Sequence, residues 1–337
     1  MFKRGGPSGP PRLLITPPTV KICTSMTSVA TSRRRRRSVQ RNRSALLFAV
    51  PAAVVYGVGF MFPSVQALYY SLFAWEGPGG EDPVYIGIEN YKTKLFDDTM
   101  FHASVGATLR FMILVVILQT LVALVYSVKL VKDTKPTIFL RSLYFFPTIL
   151  SSTSVAFIWN FVYDPSGAGL VSGILRSLGV DYRPAFLASP STALWCLVFT
   201  QVWFHAGQMM VVFVAGLQGI PKDFTEAASI DGATRGQTFR KITWPLLGPA
   251  TGIVVAYTTL QSFRAFDLVY VMTQGGPGDS NATRLLSYHI VQTAFGSRYF
   301  GEAAAESVLF MILIASVTFL QRRVLRLLKA DVKGAAA

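Results

Sequence analysis

Two cysteines, three histidines and a charged fraction of 15% in 337 residues leave little material for a chemical site. Cys23 and Cys196 lie far apart with no metal-ligand spacing, so they read as inert small side chains. His102, His205 and His289 fall in separate segments, and no zinc pattern can be assembled from them. The chain has no G-x-x-x-x-G-K-[ST] phosphate loop, which argues against nucleotide binding through that motif. No Ser-His-Asp or paired-carboxylate arrangement exists at motif level either. The reading is therefore not an enzyme, with no cofactor and no metal expected. Energy for any active process must come from a partner.

Acid is missing altogether from residues 1–43, which hold 11 of the 32 Lys and Arg, five of them consecutive from Arg33 to Arg37. Because the net charge of +15 is concentrated there, it marks a tail and not a nucleic-acid surface. Rich in Pro, Gly, Ser and Thr, the segment cannot bury enough apolar area to order itself, and a disordered basic cytoplasmic tail is expected. Met26 opens a plainer alternative start. The arginine run before an apolar stretch also resembles a secretory signal of twin-arginine type. An uncleaved first helix is preferred, since further spans follow.

What is abundant is apolar sequence, 51% of the chain with a mean hydropathy of +0.43. Crossing the hydrocarbon takes roughly 20 mostly apolar residues. Six stretches approach that length, centred on Leu46 to Phe62, Phe111 to Val128, Leu143 to Val162, Ala193 to Leu217, Leu246 to Phe263 and Ala303 to Leu320. Continuous rather than alternating apolar character predicts helices. The expected fold is an all-α polytopic membrane protein with six transmembrane helices over 44–323, then a cytoplasmic tail over 324–337.

Orientation follows from where the cations fall, because cytoplasmic loops carry the Lys and Arg excess. With the amino terminus inside, 24 of the 32 lie in cytoplasmic parts and six in external loops. Both termini are then expected in the cytoplasm of a multi-pass plasma-membrane protein, together with the polar loop 221–245. In that loop Asp223 with Glu226, and Thr234 with Gln237, have capping-box spacing. Gly232 lies between them as a turn, and Trp244-Pro245 is expected to end the second helix. The loop thus reads as a helix-turn-helix between the fourth and fifth spans.

Its residues Glu226, Ala227, Ala228, Asp231, Gly232 and Ala233, followed by Phe239, Ile242, Pro245 and Pro249, resemble the coupling loop of permease subunits in binding-protein-dependent ABC importers. Gly87 to Tyr91, Arg141 with Phe145-Phe146-Pro147 and then Trp159, Tyr163 and Gly167, and Phe266-Asp267 through Tyr270, Thr273, Gly275, Gly276 and Pro277 are similar to elements of the carbohydrate-uptake branch, which includes maltose-type permeases. The resemblance implies alternating access and a docking role for the loop, Glu226 to Ala233 with Phe239 and Pro245 receiving an ATPase. It also implies a second permease subunit, two ATP-binding subunits and an extracytoplasmic sugar-binding protein. Import of a di- or oligosaccharide is the first reading. A non-sugar solute such as glycerol phosphate is the alternative, and a self-sufficient channel or secondary transporter is the reading from a different class.

Polar side chains within spans cost free energy in lipid and tend to face the bundle interior or a water-filled path. Gln201, His205 and Gln208 share one face of the fourth helix, and Tyr257, Gln261 and Arg264 share one face of the fifth. With Trp203, Phe204 and Phe263 beside them, they suit a sugar path, or equally the hydrogen bonds that hold bundles together. Arg264 and Asp267, at i, i+3 spacing, read as a structural ion pair.

Overall fold

A computed structural model describes residues 47–166, 169–180, 185–276 and 281–334, with backbone alone for 326–334. The tail read over 1–43, Gly167 and Pro277 lie outside the described residues. The chain divides into two units, Met1–Pro63 and Ser64–Ala337. Helix α1, Leu47–Tyr70, contains a wider π turn at Gly57–Met61, where Tyr56 stacks on Phe60.

The second unit continues with a two-stranded hairpin, β1 (Phe73–Ala74) antiparallel to β2 (Val84–Tyr85), and the short helix α2 (Glu89–Lys92). Asn90 fixes this segment by donating from Nδ2 to the carbonyls of Ser71 at 2.9 Å and Phe73 at 3.0 Å. It is 6% exposed, so removing it strands buried acceptors. Asn90→Ala is expected to cost about 2 kcal/mol, read as a lower Tm of the purified chain in detergent.

Helix α3, Thr99–Leu130, begins at Asp98, whose side chain accepts from the Phe101 amide, filling one of the donors left open at a helix start. Burial works against the Asp98 charge, but hydrogen bonds from Lys94 and Phe101 hold its carboxyl below the usual range. Burial likewise opposes the Lys94 charge, and Asp98, Glu302 and Glu306 outweigh it and hold the ammonium well above the usual range for lysine. At the other end of α3, Arg141 donates to the carbonyls of Leu130 and Lys132 and pairs with Asp133 at 2.9 Å. A cation there satisfies open carbonyls and opposes the negative end of the helix dipole.

Arg141 belongs to α4, Lys135–Phe145, which runs through a tight turn over Phe146–Ile149 and then breaks. Helix α5, Ser152–Tyr163, restarts on the Ser151 side chain, and the two parts are bent by 101°. The third expected span, Leu143 to Val162, is therefore not one straight helix. After α6, Leu170–Ser177, comes the most buried long helix, α7, Pro190–Gln218. It packs along α3, with Leu130 against Met210 and Val214 where both helices end. Gln218 reaches the Val131 carbonyl and Asp133, so α3 and α7 run in the same direction.

The loop helices α8, Lys222–Ile230, and α9, Arg235–Thr238, come next. They lead through Phe239–Thr243 and Trp244–Leu246 into α10, Gly248–Phe263. Then follow α11, Phe266–Met272, α12, Leu286–Val291, and α13, Phe300–Gly334. Helix α10 lies against both α3 and α7. Four described helices are long and apolar enough to cross a membrane: α1, α3, α7 and Phe300–Leu325 of α13. The bent α4–α5 pair makes a fifth if counted as one span. The fifth expected span, Leu246 to Phe263, falls on α10, whose 16 residues make about 24 Å against the roughly 30 Å of hydrocarbon. The segment read as a tail from 324 continues the last helix as far as Gly334.

Candidate functional site

Hydrogen bonds link the polar side chains of α7 and α10 directly, and tie α10 to a residue of α3 that sequence reasoning missed. Gln119, buried on α3, donates from Nε2 to Thr258 Oγ1 and to Gln261 Oε1, both at 3.2 Å. Gln261 donates in turn to Gln208 Oε1 at 3.1 Å, and Gln208 to the Tyr257 hydroxyl at 3.4 Å. Bonds of this kind within membrane bundles contribute about 0.6 kcal/mol each. Four of them are a modest reason to keep three amides in an apolar bundle.

Beside this chain lies a cavity of about 280 Å³, lined by Gln201, His205, Gln261 and Arg264 together with Phe204 and Asp267. Four of the six residues singled out on α7 and α10 thus share one space; Gln208 is bonded to Gln261 outside it, and Tyr257 to Gln208. The His205 ring nitrogen Nδ1 lies 3.3 Å from the Gln201 carbonyl. The chemistry on offer is amide, imidazole, guanidinium and carboxylate groups beside one aromatic ring, able to exchange hydrogen bonds with a polyhydroxylated ligand. The other aromatics do not join it: Trp203 lines a separate apolar cavity with Tyr126 and Tyr144, and Phe263 packs on Phe310. The expected Arg264–Asp267 ion pair does not form among the described residues. Ser152 donates instead to Asp267 Oδ2, and Arg264 is left exposed.

At the far end of α7, the loop has a defined shape. The amide of Gly232 donates to Ser229 O at 3.2 Å, and that of Ala233 to Ala228 O at 2.9 Å, the paired bonds that close a helix on a left-handed residue. Gly232 supplies that residue, with φ of +74°. Thr234 caps α9 with Gln237 returning to its amide at 2.8 Å, as the spacing implies. Asp223 is not a cap: α8 begins at Lys222 behind Pro221, and no side chain caps it. Nor do Trp244-Pro245 end the second helix, because Pro245 occupies an opening position of the short turn Trp244–Leu246, where its missing donor costs nothing. Ala228 is buried, whereas Glu226, Ala227, Asp231 and Gly232 are exposed, Ala233 is half-buried, and Phe239 and Pro245 are partly covered. Ile230 is 87% and Phe224 51% exposed, so the loop presents apolar side chains to its surroundings.

Comparison with known proteins agrees with this architecture. The probable starch degradation products transport system permease protein AmyD of Thermoanaerobacterium thermosulfurigenes is 29% identical over 275 residues, covering 82% of this chain and 91% of that protein. The sn-glycerol-3-phosphate transport system permease protein UgpA of Agrobacterium fabrum is 30% identical, covering 82% and 92%. A crystal structure of a bacterial alginate ABC transporter, in complex with an alginate pentasaccharide-bound periplasmic protein, contains a chain of the same fold. The TM-score is 0.75 at 18% identity, covering 87% of this chain and 97% of that one. Residues 111–330 match the family model of the binding-protein-dependent transport system inner membrane component. The chain belongs to that family, the membrane permeases of ABC importers, and is not an enzyme.

Proposed function

We propose that this permease imports a carbohydrate of di- or oligosaccharide size, passing it along the cavity between α7 and α10 by alternating access. The observation that carries the reading is the convergence of Gln201, His205, Gln261 and Arg264 on one space between α7 and α10. Amides and imidazole exchange hydrogen bonds with sugar hydroxyls, and Phe204 offers a ring for an apolar sugar face. In the full transporter the chain would cross the membrane six times, with both termini and the Lys222–Leu246 loop in the cytoplasm. It would pair with a second permease and two ATP-binding subunits, and receive cargo from an extracytoplasmic sugar-binding protein. Glu226, Asp231 and the Gly232 turn would seat on the ATP-binding subunit, with Phe224 and Ile230 supplying apolar contact.

Gln261→Leu tests the path. It removes hydrogen bonds worth about 0.6 kcal/mol each, too little to unfold the bundle. Uptake of labelled cargo by the assembled transporter is expected to fall about tenfold or more, with insertion unchanged, as when a site built around hydrogen bonds loses one of its partners. Unchanged uptake would rule the cavity out as the path. A panel of labelled neutral oligosaccharides and sn-glycerol 3-phosphate separates the sugar reading from the phosphate one.

A further inference from the structure

The end of the bundle at Asp98, opposite the loop, holds a polar cluster that transport along the cavity does not use. The Lys94 ammonium lies 2.8 Å from Asp98 Oδ2, 2.7 Å from Glu302 Oε2 and 2.9 Å from Glu306 Oε1. Three carboxylates thus face one ammonium. Glu306 is fully buried and His289 is 7% exposed, with its Nε2 3.4 Å from Glu306 Oε1. Among the described residues, Glu306 Oε2 and both ring nitrogens of His289 have no hydrogen-bond partner. One ligand atom from each of Asp98, His289 and Glu306 lies within 4.8 Å of the others. Thr293 donates to Glu306 Oε1 at 3.3 Å, which leaves Oε2 open, and orphaned polar atoms are expensive at such depth, so a cation that ligates them would be favoured.

We propose that Asp98, His289 and Glu306 form a binding site for a divalent metal of the zinc or manganese class, which exchanges with the Lys94 ammonium. One imidazole and two carboxylates are a fitting set for such an ion, with a water completing the coordination. The ammonium has somewhere to go. Lys94 keeps Glu302, whose side chain is 34% exposed and lines a cavity of about 240 Å³ with Glu76, Glu81 and Asp82. A flexible four-carbon stem allows that shift, and the acidic cavity gives a cation its route in. The bound ion would tie together the start of α3, α12 and α13.

Zinc titration of the metal-stripped full chain in nanodiscs, followed by calorimetry, tests this, with Co²⁺ absorption reporting an imidazole ligand. One equivalent of Zn²⁺ per chain is expected. Glu306→Gln and His289→Phe should each weaken it by about tenfold or more. Lys94→Met should tighten it by about tenfold, because no ammonium then competes for the carboxylates. A purely structural ion network binds no stoichiometric Zn²⁺, and Lys94→Met then only lowers the Tm. Absence of stoichiometric Zn²⁺ binding to the wild-type chain, weaker binding by Lys94→Met, or binding that follows His102→Ala instead would each overturn the proposal.

Discussion

Gly232→Pro is expected to leave the permease inserted and assembled while cargo-stimulated ATP hydrolysis falls about tenfold or more, as for a lost interaction of several hydrogen-bond energies at a docking surface. The position combines two demands that proline cannot meet. Its φ is +74°, whereas proline is held near −65°, and its amide donates to Ser229 O, whereas proline has no amide hydrogen. The turn would open, and α8 would lose its angle to α9. Because a side chain at 232 would meet nothing within 4 Å, the damage stays local and the membrane helices keep their packing. Gly232→Ala separates backbone from bulk: it fits the space but strains the left-handed conformation by about 1 kcal/mol, so most of the stimulation should survive. ATPase assays with loaded binding protein in proteoliposomes distinguish the two. Full stimulation in Gly232→Pro complexes would remove the loop from the coupling route.

Gly207→Val should yield almost no folded protein. A Cβ on Gly207 would lie 1.9 Å from the Tyr144 carbonyl oxygen and 2.8 Å from the Phe145 amide nitrogen. Both neighbours are backbone, and neither can rotate away as a side chain would. Helices α4 and α7 touch through their main chains here, beside Trp203 and the stacked Tyr126–Tyr144 pair. Even Gly207→Ala must push α4 outward, at about 3 kcal/mol by the usual cost of overpacking a close-packed interior. Size-exclusion profiles after detergent extraction check this: a monodisperse peak for Gly207→Val, with an unchanged Tm for Gly207→Ala, would contradict the close approach.

These two glycines show what the sequence makes legible. Gly232 could be found locally, because a glycine between two helical patterns has one ordinary use. Gly207 could not, since its reason is a carbonyl 63 positions earlier that only the fold brings near. Gln119 was hidden for a similar reason: one amide in a 32-residue apolar helix has no period to stand out against. The polar faces of α7 and α10 did stand out, since three polar residues at spacings of three and four define a stripe. The break between α4 and α5 was signalled by Pro147 and the Ser151 cap, but the long apolar runs on both sides of residues 151–154 masked both. Asp223 misled because capping-box spacing carries no information on which residue opens the helix. The Lys94 cluster draws its acids from α3 and α13, so no single stretch of sequence announces it.

The coupling role proposed for the loop is most directly tested by cross-linking. Ala227→Cys, in a chain with Cys23→Ser and Cys196→Ala, places a thiol on the exposed part of α8, and Glu81→Cys places one beside the hairpin at the opposite end. A short bifunctional maleimide applied to the assembled transporter is expected to join position 227, and not position 81, to an ATP-binding subunit, with a yield that changes when ATP is added. Cross-linking of position 81 to that subunit, or none at position 227, would contradict the coupling role.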